Sequence, residues 1–314
     1  MLFNHKDFIS TRDLSREEIF EILDIAKHMK EISKREVKKV PTLKGKTIST
    51  AFFEPSTRTR TSFEIAAKRL SADTVSFTST ASSTTKGETL LDTIKNIENM
   101  HTDIFVIRHK CSGAVKFVAD NVKAHIVNAG DGTNEHPTQA MLDLFTIREH
   151  KNILEGLNVS IIGDIEHSRV ARSNIWAMQK LGINITLFAP KTVIPSNIIP
   201  FKCSIAKNFK EAISNADVVM MLRIQLERQN KILIPSLREY AMFFGLNQKS
   251  GKHLKKDAII MHPGPINRGV ELSTEYADCD RSVILNQVEN GIAIRMAILY
   301  LLGTQKRRTD GAST

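Results

Sequence analysis

Aromatic residues other than Phe are scarce in this chain of 314 residues, which has one Trp and three Tyr. That scarcity bears on the formal net charge of +10, a value that by itself invites a nucleic-acid reading. Single-stranded nucleic acid is gripped by stacking on exposed aromatic rings, and few are on offer. The basic excess falls in scattered clusters, Lys38-Lys39, Lys249 to Lys256 and Lys306 to Arg308, which read as solvated faces, so no nucleic-acid partner is expected. Cysteine is equally sparse: Cys111, Cys203 and Cys279 are odd in number and far apart, which excludes a disulfide framework and a zinc ribbon and suits a reducing cytosol. No apolar run approaches the ~20 residues of a membrane span. The opening MLFNHKDFIS carries no signal-peptide pattern. No membrane partner is expected, and a cytoplasmic location is.

Three chemical signatures are also missing. No Gly-x-Gly-x-x-Gly follows a strand, since Gly163-Asp164-Ile165-Glu166-His167 lacks the glycines that let a dinucleotide pyrophosphate approach. This opposes a Rossmann-type oxidoreductase. No Cys/His or His/carboxylate spacing indicates a metal, and no Gly-x-Ser-x-Gly elbow marks a nucleophilic serine. Neither cofactor nor metal is expected.

What is present is a set of cations, hydroxyls and an amide beside turns. Phe52 to Glu64 (FFEPSTRTRTSFE) hands an apolar strand over to a helix with Phe63, Ala66, Ala67 and Leu70 on one face. Backbone N–H groups in the first turn of a helix attract anions. Ser56, Thr57 and Thr59 add hydroxyl donors, and Arg58 a guanidinium fork that matches phosphate. Capping explains a hydroxyl here but not the adjoining arginine. Glu54 reads as a structural carboxylate that orients arginines or links domains.

Along the chain, Ser15 with Glu18 makes a capping box for a helix reaching about Lys34. Strands are predicted at Lys46 to Phe53, Thr74 to Phe77, Asp103 to Ile107, His125 to Val127, Val159 to Ile162, Ile185 to Phe188, Val218 to Leu222 and Ala258 to Met261. Intervening helices run from about Glu88 to Met100, Gly113 to Asn121, Pro137 to Glu149 and Arg169 to Leu181, and a last one from about Gln287 to Leu302. Ala129 to Glu135 reads as a polar turn. Alternation restarting after Lys151 to Gly156 implies two doubly wound α/β domains, each on a parallel sheet. In such folds ligands bind outside the carboxyl ends of the strands. Polar motifs fall there repeatedly: Ser56-Thr57-Arg58, Arg108-His109, His136 to Gln139, His167 to Arg169, Arg223 to Gln225 and His262 to Pro265. The set suits electrostatic stabilisation of an anionic substrate and a developing oxyanion, without a covalent intermediate.

STRTR with a following SFE, then TKGETLLDT, HPTQ and HPGP, in that order, resemble the transcarbamylase family. Lys86-Gly87-Glu88-Thr89 and His262-Pro263-Gly264-Pro265 favour its aspartate carbamoyltransferases. The ornithine enzymes carry a His-Cys-Leu-Pro type of motif where HPGP stands, and they accept a cationic substrate. The resemblance implies carbamoyl transfer from carbamoyl phosphate to L-aspartate, an early step of pyrimidine synthesis, in a cleft between two domains. Residues 1–150 would bind carbamoyl phosphate, with a C-terminal helix at about 287–303 packing back on them, and residues 151–286 would bind aspartate. Ser56, Thr57, Arg58 and Thr59 would cradle the phosphate, and Arg108 would bridge phosphate and carbonyl. His136 and Thr59 would bond the carbonyl oxygen, while Gln139 and the Pro265 carbonyl, after Gly264, would take the carbamoyl NH2. Arg169, Arg223 and Gln225 would hold the aspartate carboxylates. Ser82 and Lys86 would arrive from a neighbouring subunit of a homotrimer, Lys86 touching both substrates. Regulatory chains or higher assembly are left open. The alternatives are another amine acceptor such as ornithine or, in a different class, a basic nucleic-acid-binding α/β protein.

Overall fold

The computed structural model describes residues 2–78, 88–195, 201–225 and 236–305. It divides into two compact units, one of Met1–Ile9, Phe20–Ala129 and Ile292–Thr314, the other of Ser10–Ile19 and Gly130–Gly291. None of the helices among the described residues is long and apolar enough to cross a membrane.

Helix α1 (Arg16–Lys34) opens with the predicted capping box: Glu18 N–H donates to Ser15 Oγ at 3.1 Å and Ser15 N–H to the Glu18 carboxylate at 2.8 Å. There follow β1 (Thr47–Phe52), α2 (Thr57–Arg69), β2 (Asp73–Thr78), α3 (Leu90–Glu98), β3 (Ile104–His109), α4 (Ala114–Ala119) and β4 (His125–Asp131). The sheet order is β2-β1-β3-β4, and β1 lies parallel to both its neighbours. All of β1 after Thr47 is buried, as a parallel strand covered on both faces must be. Ala51, Phe105 and Ile107 pack there with Ile94 of α3 and Val115 and Val118 of α4. Because the chain lays β2 on one side of β1 and then β3 on the other, the carboxyl ends of β1 and β3 flank a topological switch point.

The second unit repeats the arrangement with α5 (Pro137–Lys151), β5 (Asn158–Ile162), α6 (Arg169–Lys180), β6 (Asn184–Phe188), β7 (Cys203–Ile205), α7 (Phe209–Ser214), β8 (Val218–Met221), α8 (Leu237–Phe244), β9 (Ile259–Met261) and α9 (Thr274–Ala277). Its parallel sheet runs β7-β6-β5-β8-β9, with the switch point between β5 and β8. A final helix, α10 (Ile284–Gly303), ends the described chain. Compactness places the boundary at Ala129–Gly130, upstream of the expected 150/151, because α5 packs along α6. β7, α7, α8 and α9 are absent from the sequence-based expectation. Each has eight residues or fewer, too short for periodicity alone, and β7 lacks the continuous buried apolar run that marks the equally short β9. The predicted turn from Ala129 is strand up to Asp131, with a bridge from Asp131 to Glu135 closing the loop.

Both sheets are stitched at their amino ends by an aspartate. Asp103 accepts from Thr47 N–H at 2.9 Å and Lys46 Nζ at 3.0 Å. Asp217 accepts from Asn158 N–H and Lys255 Nζ, each at 2.8 Å. Burial alone would raise the Asp217 carboxyl, but the Asn158 N–H and the Lys255 ammonium outweigh it and hold the group below the ordinary carboxylate range. Such a group stabilises the fold above its unfolded pKa of about 3.9, and the contribution fades as pH falls through the lower folded value. Asp217→Asn is expected to lower stability by about 1 kcal/mol at neutral pH. Urea midpoints of the two proteins should then converge as the pH is taken below about 4.

Candidate active site

In the first unit the polar motifs collect at the β1/β3 switch point. Ser56 is the N-cap of α2 in extended conformation, yet its side chain makes no capping bond, and the first turn holds no acidic residue. Helices α3, α7 and α8 differ: Thr89, Asn208 and Ser236 cap them, and each has an acidic residue in its first turn. The α2 start therefore has neither a side-chain cap nor an acid to offset its positive dipole end, an arrangement that suits an external anion. Thr57 and Arg58 are exposed beside it, while Thr59 is buried. At the end of β3, the Arg108 guanidinium donates to Glu54 at 2.7 Å and to the Ala129 carbonyl at 3.3 Å. Phe53 N–H bonds the Arg108 carbonyl at 2.8 Å. Glu54 thus fixes an arginine at the mouth of the switch point, as its position in the sequence suggests.

The second unit collects the remaining described candidates. Helix α5 is buried on every residue from Pro137 to Ile147, including Thr138, Gln139, Asp143 and Thr146, an unusual load of polar groups for a buried helix. His136 is its N-cap, 4% exposed and without a side-chain capping bond, with its backbone N–H donated to Ser173 Oγ of α6 at 2.9 Å. Gln139 Nε2 donates to Asp143 at 3.0 Å. Arg169, the first residue of α6, is buried, and its guanidinium donates to the Gly132 carbonyl at 3.3 Å. After β8, Arg223 and Gln225 join side chain to side chain at 3.4 Å, and Gln225 N–H donates to Asp164 at 3.2 Å. In the HPGP segment, Gly264 has φ +62° and Pro265 is exposed. His262 holds this loop: its Nδ1 accepts from Gly264 N–H at 2.7 Å, and its Nε2 lies 3.1 Å from Glu271. A ring nitrogen that accepts from an amide carries no proton, so the other donates to the carboxylate. Ser82 and Lys86 lie outside the described residues.

Sequence reasoning passes over the acids that set these groups. Glu135 accepts from Thr11 N–H and Oγ1 and from Ser173 Oγ, each at 3.0 Å, and also from Ser10 Oγ. Through Ser173 it therefore reaches the His136 backbone. Asp164, fully buried at the end of β5, accepts from His167 Nδ1 at 2.8 Å as well as from Gln225. Glu271 accepts from Asn267 N–H at 2.7 Å. Asp164 could have been found, because it lies two residues beyond a predicted strand end. Glu271 sits in no local pattern. Among the described residues no three His, Cys, Asp or Glu side chains are placed to hold a metal ion.

A family model for the carbamoyl-phosphate-binding domain of aspartate/ornithine carbamoyltransferases matches residues 6–149, and one for their Asp/Orn-binding domain matches residues 155–302. The aspartate carbamoyltransferase catalytic subunit of Campylobacter concisus is 60% identical over 308 residues, covering 98% of this chain and all of the relative. Among solved structures, the aspartate transcarbamoylase of Trypanosoma cruzi in complex with N-(phosphonacetyl)-L-aspartic acid has a TM-score of 0.86 at 30% identity, covering 94% of this chain and 95% of that one. The ornithine carbamoyltransferase of Thermus thermophilus has a TM-score of 0.85 at 25% identity, covering 96% and 99%.

One glycine has a direct bearing on the site. Gly130 has φ +117°, and a Cβ built there would stand 3.0 Å from the Arg169 Cζ and Nε atoms. Gly130→Ala is expected to destabilise the protein by about 1–3 kcal/mol through backbone strain and displacement of that guanidinium, measured by chemical denaturation.

Proposed function

The chain belongs to the aspartate/ornithine carbamoyltransferase family, and we propose that it transfers the carbamoyl group of carbamoyl phosphate to the α-amino group of L-aspartate. The products are N-carbamoyl-L-aspartate and phosphate, in de novo pyrimidine biosynthesis. The observation that carries this reading is the anion-ready start of α2 with Arg108 held at the neighbouring strand end. High identity to a relative named for the same activity supports it along the whole chain.

In this reading Ser56, Thr57, Arg58 and Thr59 hold the phosphate, and Arg108 spans phosphate and carbonyl oxygen. His136 and Thr59 donate to that oxygen as the carbonyl carbon becomes tetrahedral and the oxygen takes on negative charge. Gln139 and the Pro265 carbonyl accept from the carbamoyl NH2, and Arg169, Arg223 and Gln225 bind the two aspartate carboxylates. The uncharged amine attacks the carbonyl carbon, forming the C–N bond. As the tetrahedral intermediate collapses, the C–O bond to phosphate breaks, and the departing phosphate accepts the amine proton. No covalent enzyme intermediate forms. Holding both reactants in contact supplies about 7–11 kcal/mol of the barrier, and one oxyanion donor about 3 kcal/mol. No side chain is needed as base, so His136 serves as a neutral donor.

We assign residues 1–150 and the C-terminal helix to carbamoyl phosphate and residues 151–286 to aspartate, a functional division distinct from the one drawn by compactness. The proposal also includes a cytoplasmic homotrimer in which Ser82 and Lys86 come from the neighbouring subunit.

An assay with carbamoyl phosphate that compares acceptors should show turnover with aspartate and none with ornithine; the reverse would overturn the assignment. Arg58→Ala should lose about 100-fold or more in kcat while far-UV circular dichroism stays unchanged. For the shared site, inactive Lys86→Ala and Arg58→Ala subunits are mixed and allowed to exchange. Activity should return, because some mixed trimers contain one site with neither substitution. Persistent inactivity after proven exchange would remove the neighbour-supplied lysine.

A further inference from the structure

Asp143 lies on α5, one helical turn beyond Gln139, and is fully buried. Three side-chain amides converge on it. Gln139 Nε2 donates to Oδ1 at 3.0 Å, Gln287 Nε2 to the same oxygen at 2.8 Å, and Asn174 Nδ2 to Oδ2 at 2.8 Å. Gln287, at the start of α10, has a second bond: its Oε1 accepts from the backbone N–H of His262 at 2.9 Å. That amide opens the HPGP loop, whose Gly264 is already pinned to the His262 ring. One carboxylate is thus wired both to Gln139 and, through Gln287, to the loop that ends in Pro265.

Neither the function assigned to Gln139 nor that of Pro265 explains this convergence. A carboxylate accepts and cannot donate, so any amide facing it must present its NH2 end. Asp143 therefore fixes the flip of Gln139, leaving the carbonyl oxygen as the atom available to a ligand. Through the Gln287 flip it likewise dictates that the Gln287 oxygen faces His262, which sets the path of the HPGP backbone. A buried anion holding three amides is costly to leave half satisfied, so the network has strong reason to stay in one arrangement. Both groups it sets are acceptors. A carbamoyl NH2 has two hydrogens to donate, and it is the part of carbamoyl phosphate that separates this donor from other acyl phosphates.

We infer that Asp143, with Gln287 as its second arm, is a positioning residue that makes the site selective for a carbamoyl over another acyl phosphate, by forcing two hydrogen-bond acceptors toward the acyl substituent. The inference rests on the proposed carbamoyl transfer and adds to it a residue that touches neither substrate. In Asp143→Asn the carboxylate becomes an amide, Gln139 can turn over, and an NH2 group can then meet the carbamoyl NH2.

The test compares three anions on the full-length enzyme: KM for carbamoyl phosphate, and inhibition constants for acetyl phosphate and inorganic phosphate. Acetyl phosphate has a methyl group where carbamoyl phosphate has NH2. Asp143→Asn is expected to raise KM for carbamoyl phosphate or lower kcat/KM by about 10- to 100-fold. The inhibition constants of acetyl phosphate and phosphate should stay within about twofold, since the anion cradle is untouched. Gln287→Ala, which spares the Gln139–Asp143 bond, should show the same selective loss, smaller in size, and serves if the Asp143 variant does not fold. An equal loss for all three anions, or an unchanged carbamoyl phosphate profile in both variants, would overturn the inference. Absence of carbamoyl transfer in the unmodified enzyme would instead count against the parent function, so the two failures are told apart.

Discussion

Parallel strands that flank a topological switch point end with loops departing in opposite directions, and the groups left at their carboxyl ends cannot be satisfied by further pairing. The rest of this structure is arranged around that constraint. In each unit the vacancy is met by acids planted behind the mouth rather than in it. Glu54 stands between the ends of β1 and β3, and Asp164 between the ends of β5 and β8. Glu54 accepts from the Arg108 guanidinium, and Asp164 from His167 and the Gln225 backbone N–H, so each acid orients donors at its switch point. A site for two anionic substrates needs that arrangement, since cations clustered without such counter-charges would repel one another and drift from their rotamers.

The helices carry the same division of labour. Where a helix start has only to be stable, a capping side chain and a first-turn acid complete it, as at α3, α7 and α8. At α2 those two devices are missing together, and hydroxyls and an arginine stand in their place. Helix α5 shows a third solution, a polar interior tied by side-chain bonds to its neighbours. Asp143 and Asn174 tie it to α6, and Asn290 reaches Thr146 at 2.9 Å. The amides are held this way round because turning one over would set its oxygen against a carboxylate.

The parts of this design legible in the sequence are those written in local order. Alternation of apolar runs and amphipathic stretches gives the two parallel sheets, and turns rich in Ser, Thr, Arg and His mark the carboxyl ends of strands. Ser56 to Thr59 read as an anion site from residue type and position, whereas the part given to Arg108 comes from the family resemblance. The supporting acids could not, for a geometric reason. Gln287 reaches Asp143 across 144 positions, so no window of sequence contains both partners, and Glu271 reaches His262 across an irregular loop whose residues carry no period to bring them together. Asp143 is the intermediate case: its spacing of four from Gln139 on a helix brings the two side chains together, but nothing local says that the pair is buried. Short edge elements such as β7 escape notice because half a turn or one pleat carries no period.

The aspartates that stitch the amino ends of the two sheets have a further consequence. Asp103 and Asp217 bind the first residues of the central strands, at the opposite ends from the carboxyl termini that bear the arginines. In the proposed reading, cohesion and chemistry therefore occupy opposite poles of each sheet. The familiar conflict between robustness and catalysis arises where both draw on the same residues. Here the amino pole offers ground for added cross-links, tighter turns or better surface charge, and an engineer could harden the enzyme there while leaving its working end as compliant as its chemistry demands.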